Sequence, residues 1–331
     1  MANSASDARH SEADIRQKLI EQNLIYGMLT LPSNLFYTVT LPATLWFFDK
    51  AKTDERVLFI DARNIFTQID RAHRELSAEQ VQNTAIIPRL HKGRRAEFVA
   101  LVDSYFQQGL AQLQETAAHI PDLSTRLLAM LAEENDATAQ QAGQAAVAGL
   151  QAQWANLPTL AQAQAAHDLA QAHNADVPAR NTAQRELRGL FTPFFQALHA
   201  SLKALDKAIR EMDKRKAEAA KASGKRASGS RQAKGVKDTL QALHDEVKQA
   251  ERFYTHITWL QERFPNAAYE DVTGLCKLAT RAEMAEQDWS LNPGRYVGVV
   301  IEEDGKTEEE FLDELASNNE VLNALSEQAK E

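Results

Sequence analysis

A loop bounded by prolines carries the residues in this sequence that are best suited to holding a ligand. Asn34, Phe36 and Tyr37 lie between Pro32 and Pro42. A core strand seldom has polar and aromatic residues on a segment that proline fixes at both ends. Two interpretations are open: the segment is a binding loop, or the two rings cover the end of a sheet.

A concentration of positive charge is the second candidate site. Residues 203–237 contain twelve Lys or Arg and only four Asp or Glu. Because no aromatic residue interrupts the basic ones, the pattern favours contact with duplex phosphates over stacking on single-stranded bases. The alternative is a solvated basic loop. The side chains predicted to contact phosphate are Lys214, Arg215, Lys216, Lys225, Arg226 and Arg231.

An acidic C-terminal segment is the third candidate, as a partner-binding helix. Residues 302–331 contain eleven Asp or Glu and two Lys or Arg, so this segment alone has the net charge of −9 of the whole chain. Its apolar residues repeat at heptad-like spacing with one polar residue among them. So short a stripe requires a surface to pack against. The predicted partner-binding residues are Phe311, Leu315, Asn318, Leu322 and Leu325.

Three other patterns are weaker as chemical motifs. "SGKRASGS" is not a phosphate-binding loop, because Ala220 stands where that motif needs glycine and no strand precedes it. His167 and His173 are six residues apart and so not on one helical face, which favours solvated histidines over metal ligands. "DRAHRE" at 70–75 is interpreted mainly as a solvated charged turn, with a catalytic role as the alternative.

Composition limits the class of protein. The chain has 331 residues and one cysteine, Cys276, which excludes a disulfide framework and a Cys-rich zinc site and predicts a cytoplasmic protein. The start, "MANSASDARHSEADIR", lacks the apolar stretch of a signal peptide. Since no apolar run approaches the roughly 20 residues of a transmembrane helix, no membrane association is predicted.

The elements that position these residues form a small α/β region followed by helices. Ser11 begins a helix, and apolar runs at 24–31, 43–48 and 56–61 predict three strands. From residue 76 the pattern is helical, beginning with a capping box at Ser77 and Gln80. A further short strand is predicted from Tyr296 to Ile301. The fold class is therefore α+β, mostly α.

Five segments follow from these patterns. Residues 1–75 are the α/β region, and 76–200 form an arm of antiparallel helices rich in Ala and Gln. Residues 201–263 are a helical hairpin with a basic Gly/Ser tip, and 264–301 are a docked segment. Residues 302–331 are the acidic amphipathic helix.

Several separated strings resemble one known family. The strings "MANSASDAR", "SEADIRQKLIEQNLIYGMLTLPSNLFYTVTLPATLWFFDKAK", "RVLFIDAR", "IDRAHREL" and "WSLNPGRYVGV" are similar to the C-terminal half of the modification subunit of type I restriction-modification systems. That family consists of DNA methyltransferases that transfer a methyl group from S-adenosylmethionine to the exocyclic amine of adenine. The resemblance covers residues 1 to about 110 and 250 to 331. It implies that the α/β region is a remnant of a Rossmann-like methyltransferase sheet.

The resemblance assigns the proline-bounded loop to the target base. In such enzymes the adenine is flipped out of the duplex and stacked on an aromatic side chain. By resemblance Phe36, or failing it Tyr37, stacks on the base and Asn34 shapes the pocket. The family's glycine-rich cofactor loop and its Asn-Pro-Pro-aromatic motif do not occur in this sequence; Asn292-Pro293-Gly294 is the nearest string. The expectation is a truncated or split subunit that binds no cofactor alone.

Three hypotheses are carried forward. The chain is a methyltransferase piece that is inactive without a separately encoded N-terminal half, which would complete the site for S-adenosylmethionine. Alternatively, it is an interaction module whose helices dock on the specificity subunit, and possible further partners are the restriction subunit and double-stranded DNA. The third hypothesis is a non-enzymatic helical scaffold or DNA-binding module.

Overall fold

The computed structural model describes residue 6 and residues 11–132, 137–222 and 231–300. The chain divides into two compact units. We call the first the sheet unit; it comprises Met1–Thr30, Thr44–Asp61 and Asp271–Glu331. The second, the helical unit, comprises Leu31–Ala43 and Ala62–Glu270. The proline-bounded loop therefore belongs to the helical unit, although strands of the sheet unit flank it in the sequence.

The sheet unit contains a four-stranded sheet and two helices. The elements of the unit are α1 (Ser11–Glu21), β1 (Ile25–Thr30), β2 (Thr44–Phe48), β3 (Val57–Asp61), β6 (Cys276–Ala279), α9 (Arg281–Glu286) and a 3-10 turn (Pro293–Arg295). The strand order is β2-β1-β3-β6; β1 pairs antiparallel with β2 and parallel with β3, and β3 pairs antiparallel with β6. The predicted first helix and three strands are confirmed.

The C-terminal part of the sheet unit differs from the prediction. Its strand is β6, four residues long, whereas the strand predicted from Tyr296 to Ile301 is wrong over its described residues, 296–300. Tyr296 and Val297 are part of the hydrophobic core, where the Tyr296 ring stacks on Phe59 with 3.9 Å between the ring centroids. Tyr296 and Val297 thus pack in the core of the sheet unit through their side chains, while Val299 and Val300 are exposed and residues 296–300 form no strand.

The helical unit contains a short hairpin and seven helices among its described residues. The elements are β4 (Thr67–Gln68), β5 (Arg74–Glu75), α2 (Ala78–His91), α3 (Arg95–Ala117), α4 (Ile120–Ala132), α5 (Ala137–Trp154), α6 (Leu157–Gln171), α7 (Val177–Ala222) and α8 (Arg231–Arg263). The capping box is confirmed, since Ser77 accepts from the backbone N–H of Gln80 and the Gln80 side chain accepts from that of Ser77. The α+β, mostly helical fold class is confirmed.

An aromatic core holds α3, α7 and α8 together. Tyr254 packs on Phe191 and Phe195 at centroid distances of 4.6 and 4.9 Å, and Phe106 packs on both Tyr254 and Phe191 at about 6 Å. Because each of these side chains is at least 95 % buried, the core removes a large apolar area from water. The helices of this unit are therefore fixed by tertiary packing as well as by their propensity.

The longest helix crosses the predicted segment boundaries. The boundary placed between residues 200 and 201 lies inside α7, and Pro193 is also inside that helix. Pro121, Pro158 and Pro178 lie in the first turns of α4, α6 and α7, where proline leaves no intrahelical hydrogen bond unmade. None of the helices in the described ranges is long and apolar enough to cross a membrane.

Gly109 provides a stability test of the aromatic core. A Cβ at this position of α3 would lie 2.6 Å from Cε2 of Tyr254, whose ring is held by its aromatic neighbours. Overpacking of this kind costs about 1–3 kcal/mol, more than the roughly 0.5–1 kcal/mol that a Gly→Ala change gains in a helix interior. Gly109→Ala should therefore lower the free energy of unfolding by about 1–2 kcal/mol in a denaturant titration.

The matched control for this change is Gly189→Ala. Gly189 lies inside α7, is exposed, and has no atom within 4 Å of an added Cβ. This variant should gain up to about 1 kcal/mol of stability from the lower conformational entropy of its unfolded chain. A Gly109→Ala protein as stable as the control variant would contradict the packing described here.

Candidate functional site

The proline-bounded loop is a closed and partly ordered structure. The backbone N–H of Leu31 donates to the carbonyl of Ala43 at 2.8 Å, which brings the two ends of the loop together. Within it, the N–H of Val39 donates to the carbonyl of Phe36 at 3.1 Å. Asn34 has φ +58°, a left-handed conformation that asparagine tolerates better than most residues. The chain can thus turn sharply before it presents its aromatic residues.

Arg74 of β5 anchors this loop to the β4–β5 hairpin. Its backbone N–H donates to the carbonyl of Asn34 at 3.1 Å, and its Nη1 donates to Oγ of Ser33 at 2.8 Å. The guanidinium also lies over the Phe66 ring, 3.9 Å from the centroid, and its Nε donates to Oε1 of Gln68 at 3.1 Å. Since an arginine fork held on several sides loses little further freedom, the anchor is geometrically well defined.

A ring stack forms the second contact between loop and hairpin. The Tyr37 ring lies on the His73 imidazole with centroids 4.9 Å apart and planes inclined by 27°. Nδ1 of His73 lies 2.7 Å from Oδ2 of Asp70. Because a carboxylate can only accept, this nitrogen carries the proton of that hydrogen bond. The pair therefore fixes the plane of the imidazole against which the tyrosine rests.

Asp70 organises the turn of the hairpin. Its Oδ1 accepts from the backbone N–H groups of Ala72 and His73 at 2.7 and 2.9 Å. The hydrogen bond from the His73 side chain, followed by that from Ala72, lowers the pKa of the Asp70 carboxyl from its ordinary value. The carboxylate is therefore charged at neutral pH and available to hold the imidazole.

The three loop residues singled out from the sequence have different environments here. Tyr37 is 89 % exposed and Phe36 is 49 % exposed, so neither ring is buried against the end of a sheet. Asn34 is half-buried, and its carbonyl receives the Arg74 hydrogen bond. The loop brings an open aromatic face and an anchored backbone together on one side of the hairpin.

The basic residues lie on and beyond the ends of α7 and α8. Lys214 and Arg215 are in the last third of α7, where Lys214 is exposed and Arg215 is half-buried. Lys216 and Arg231 belong to α7 and α8, respectively. Lys225 and Arg226 lie outside the described residues, as do Phe311, Leu315, Asn318, Leu322 and Leu325 of the acidic segment.

The turn at 70–75 is more structured than its sequence indicates. The pattern favours a solvated charged face for Asp70 and His73, and it does not single out Arg74. A local signal is present, since Asp three residues before His predicts a side-chain hydrogen bond across a turn. The contacts with Ser33, Asn34 and Tyr37 join residues over thirty positions apart, however, and no local pattern predicts them.

The interpretation of His167 as a solvated histidine is wrong. Its side chain is 8 % exposed and its Nε2 lies 3.5 Å from Oδ1 of Asp103. Asp103 also accepts from Arg180 and Gln184, both at 2.6 Å. This cluster links α3, α6 and α7, and each of its side chains makes a polar contact with Asp103, although Nε of Arg180 and Oε1 of Gln184 are buried without a partner. The predicted absence of a metal at this histidine stays a prediction.

A comparison with protein-family models matches the part of the chain that contains the loop. The model of the family described as N-6 DNA Methylase matches residues 2–103. The methylase subunit of the type I restriction enzyme MjaIX from Methanocaldococcus jannaschii is 44% identical over 85 residues, which are 25% of this chain and 15% of that protein. The HindI methylase subunit from Haemophilus influenzae is 36% identical over 83 residues, which are 25% and 19% of the two chains.

A solved structure is also similar over part of its length. It is the crystal structure of the methyltransferase subunit of a type I restriction-modification system from Streptococcus thermophilus, with 25% identity over 24% of this chain and 17% of that one and a TM-score of 0.24. The chain thus spans less than a fifth of the length of the curated relatives it matches. The resemblance to type I modification subunits is confirmed, and residues 2–103 match the model of the N-6 DNA methylase family.

Proposed function

We propose that this chain is the C-terminal part of the modification subunit of a type I restriction-modification system, and that loop 31–43 receives an adenine flipped out of DNA. The observation that carries the proposal is the exposed Tyr37 ring on an anchored loop, within the residues that match the N-6 DNA methylase family. A flipped base is held by stacking on aromatic side chains and by hydrogen bonds to its Watson–Crick edge. Asn34 and Phe36 would complete the wall of that pocket.

The chemical step would depend on residues outside this sequence. A methyl donor is typically bound at a glycine-rich turn that opens a helix, and no such turn follows a strand in this sequence. The nearest string to the Asn-Pro-Pro-aromatic motif forms a 3-10 turn, in which Oδ1 of Asn292 accepts from the N–H of Gly294 at 3.2 Å. We therefore propose that a separately encoded N-terminal half supplies the site for S-adenosylmethionine and the catalytic motif.

The helical unit and the acidic C-terminal segment would connect the methyltransferase to its substrate and its partner subunits, respectively. Duplex DNA would be held through phosphates by the basic residues at the tip of the α7–α8 hairpin. The acidic segment, residues 302–331, would dock on the specificity subunit, and the restriction subunit would join the same assembly. Such a complex acts on chromosomal DNA, so we place the protein in the cytoplasm.

Calorimetry tests the dependence on a second half. The purified chain should give no saturable heat with S-adenosylmethionine, because it has no donor site of its own. After co-purification with the N-terminal half of a related methylase subunit, a binding isotherm should appear. Saturable binding by the chain alone at micromolar donor would contradict the proposal that methyl transfer requires another half.

The second candidate function is a non-enzymatic helical interaction or DNA-binding module. It is favoured by one observation: helices α4 to α8 lie beyond the residues matched by the methylase family and pack mainly on one another and on α3. This candidate predicts DNA or subunit binding that is unchanged by the N-terminal half, and no gain of donor binding when that half is present.

A further inference from the structure

We propose that His73, held by Asp70, is a positioning residue that presents the Tyr37 ring to the flipped base. This inference rests on the proposed function of loop 31–43. It adds that the β4–β5 hairpin is part of the base-binding apparatus, and that Tyr37 is the stacking residue in preference to Phe36. The ligand is a planar nucleobase outside its duplex stack.

The geometry distinguishes the two rings. Tyr37 keeps 89 % of its surface exposed although one face rests on His73, so its opposite face is open. Phe36 has half of its surface covered, and its backbone is tied to Val39 across the loop. A base that stacks on Tyr37 would complete a three-ring stack of base, phenol and imidazole, with ring spacings typical of aromatic pairs.

The support lowers the cost of binding. An aromatic side chain that stands free on a loop loses rotamer freedom when a ligand stacks on it, and this loss weakens binding. Here the imidazole already holds the ring, and two further contacts fix the imidazole: the carboxylate of Asp70 at Nδ1 and the backbone N–H of His73, which donates to the same carboxylate. The ring is therefore positioned before the base arrives.

The adjacent residue fixes the loop on which the tyrosine stands. Arg74 donates hydrogen bonds to Ser33 and to the Asn34 carbonyl. His73, the residue before it in the turn of the hairpin, stacks on Tyr37. A hairpin with strands of two residues each is hardly stable by itself. Its two contacts with the loop provide both elements with a support that neither has alone.

A fluorescence experiment tests the inference with the full chain. The probe is a duplex with 2-aminopurine opposite an abasic site, so that the base is already unpaired, compared with the same duplex fully paired. The wild type should prefer the first duplex and quench its emission. Tyr37→Ala should reduce that preference by about tenfold, as expected from the energy of base–aromatic stacking, while Tyr37→Phe should retain it.

The positioning role predicts a graded response at the supporting residues. His73→Ala and Asp70→Ala should each lose at least threefold of the preference, whereas His73→Phe should restore it, since a phenyl ring can stack without the hydrogen bond. The matched control is His119→Ala, because His119 forms a comparable exposed pair with Glu246 at 3.1 Å elsewhere in the helical unit. This control should stay within twofold of the wild type, and Phe36→Ala should lose less of the preference than Tyr37→Ala.

A measurement without DNA separates the inference from the function on which it rests. In protein labelled with 3-fluorotyrosine, the Tyr37 resonance should shift in His73→Ala and not in His119→Ala, because only the former removes a stacked ring. A wild type with no preference for the unpaired base would contradict the proposed function and the inference together. A wild-type preference that His73→Ala leaves within twofold, or an unmoved Tyr37 resonance, would overturn the inference alone.

Discussion

Removal of five basic side chains at the tip of the α7–α8 hairpin should weaken duplex binding equally for all DNA sequences and flatten its salt dependence. Each phosphate contact contributes about 0.9 to the slope of log K against log salt, so the slope should fall by about 4 to 5 if all five side chains contact phosphate. The variant replaces with alanine Lys214, Arg215, Lys216, Lys225 and Arg226.

The described apolar packing between α7 and α8 comes close to the basic run. Among the described residues, the buried ones nearest to it are Met212 on α7 and Leu240 on α8, which are 2 % and 6 % exposed. An ion pair between Lys237 and Asp213 joins the two helices beside these residues. Lys214 follows this ion pair along α7 and is exposed, so its side chain does not contribute to the apolar packing between the helices.

The control keeps the change in net charge and moves it elsewhere. Five exposed basic residues on other helices or other parts of α7 and α8 are replaced with alanine: Lys18, Arg126, Lys203, Lys207 and Lys248. If the tip is the phosphate-binding surface, this variant should keep most of the slope. Equal slopes for the two variants would show that affinity follows total charge, and an unchanged slope in the tip variant would return the segment to a solvated loop.

Local patterns in the sequence predicted the elements that depend on neighbours in the chain. The capping box at Ser77 and Gln80 forms because its two hydrogen bonds join residues three apart. The first three strands likewise follow from short apolar runs bounded by turn residues. In each case the spacing of neighbouring residues specifies the element, and no contact with a distant part of the chain is needed to predict it.

Elements that depend on distant partners could not be predicted in this way. Strand β6 has four residues and becomes a strand because Cys276 to Ala279 pair with Ile60 to Val57, over two hundred positions earlier. Val297, by contrast, has a β-branched side chain that is buried in the sheet core without joining a strand. The β-propensity of a residue indicates how well it fits a strand, but a strand forms only where the edge of a sheet is available for backbone pairing.

The candidate site shows the same division. Proline, asparagine and aromatic residues in one segment made a binding loop one of two interpretations, and the structure leaves Tyr37 exposed, as that interpretation requires. Its support by His73 and Arg74 depends on a hairpin that the sequence presents only as a charged turn. The stacking of Tyr37 on His73 joins residues that are distant in the sequence. A prediction from sequence therefore had to leave Phe36 and Tyr37 as alternatives.

Truncation after Ile301 should abolish co-purification with a specificity subunit and leave the cooperative melting transition of the remaining chain unchanged. Residues 302–331 combine eleven acidic residues with an apolar seam of Phe311, Leu315, Leu322 and Leu325. Repulsion between like charges destabilises an isolated helix of this length, and exposure of the apolar seam to water is also unfavourable. A helix of a partner subunit that covers the seam resolves both, and Asn318 would set its register.

Substitutions within the full-length chain distinguish a seam from a general effect of the acidic segment. Alanine at the four apolar seam positions should reproduce the truncation. The matched control replaces four acidic residues that would lie opposite the seam in a helix of about 3.6 residues per turn: Glu309, Asp313, Glu320 and Glu327. It should leave co-purification intact, because in such a helix these residues would face away from the partner. If the truncated protein instead loses its cooperative transition, the segment belongs to the core of this chain, and the seam is covered from within.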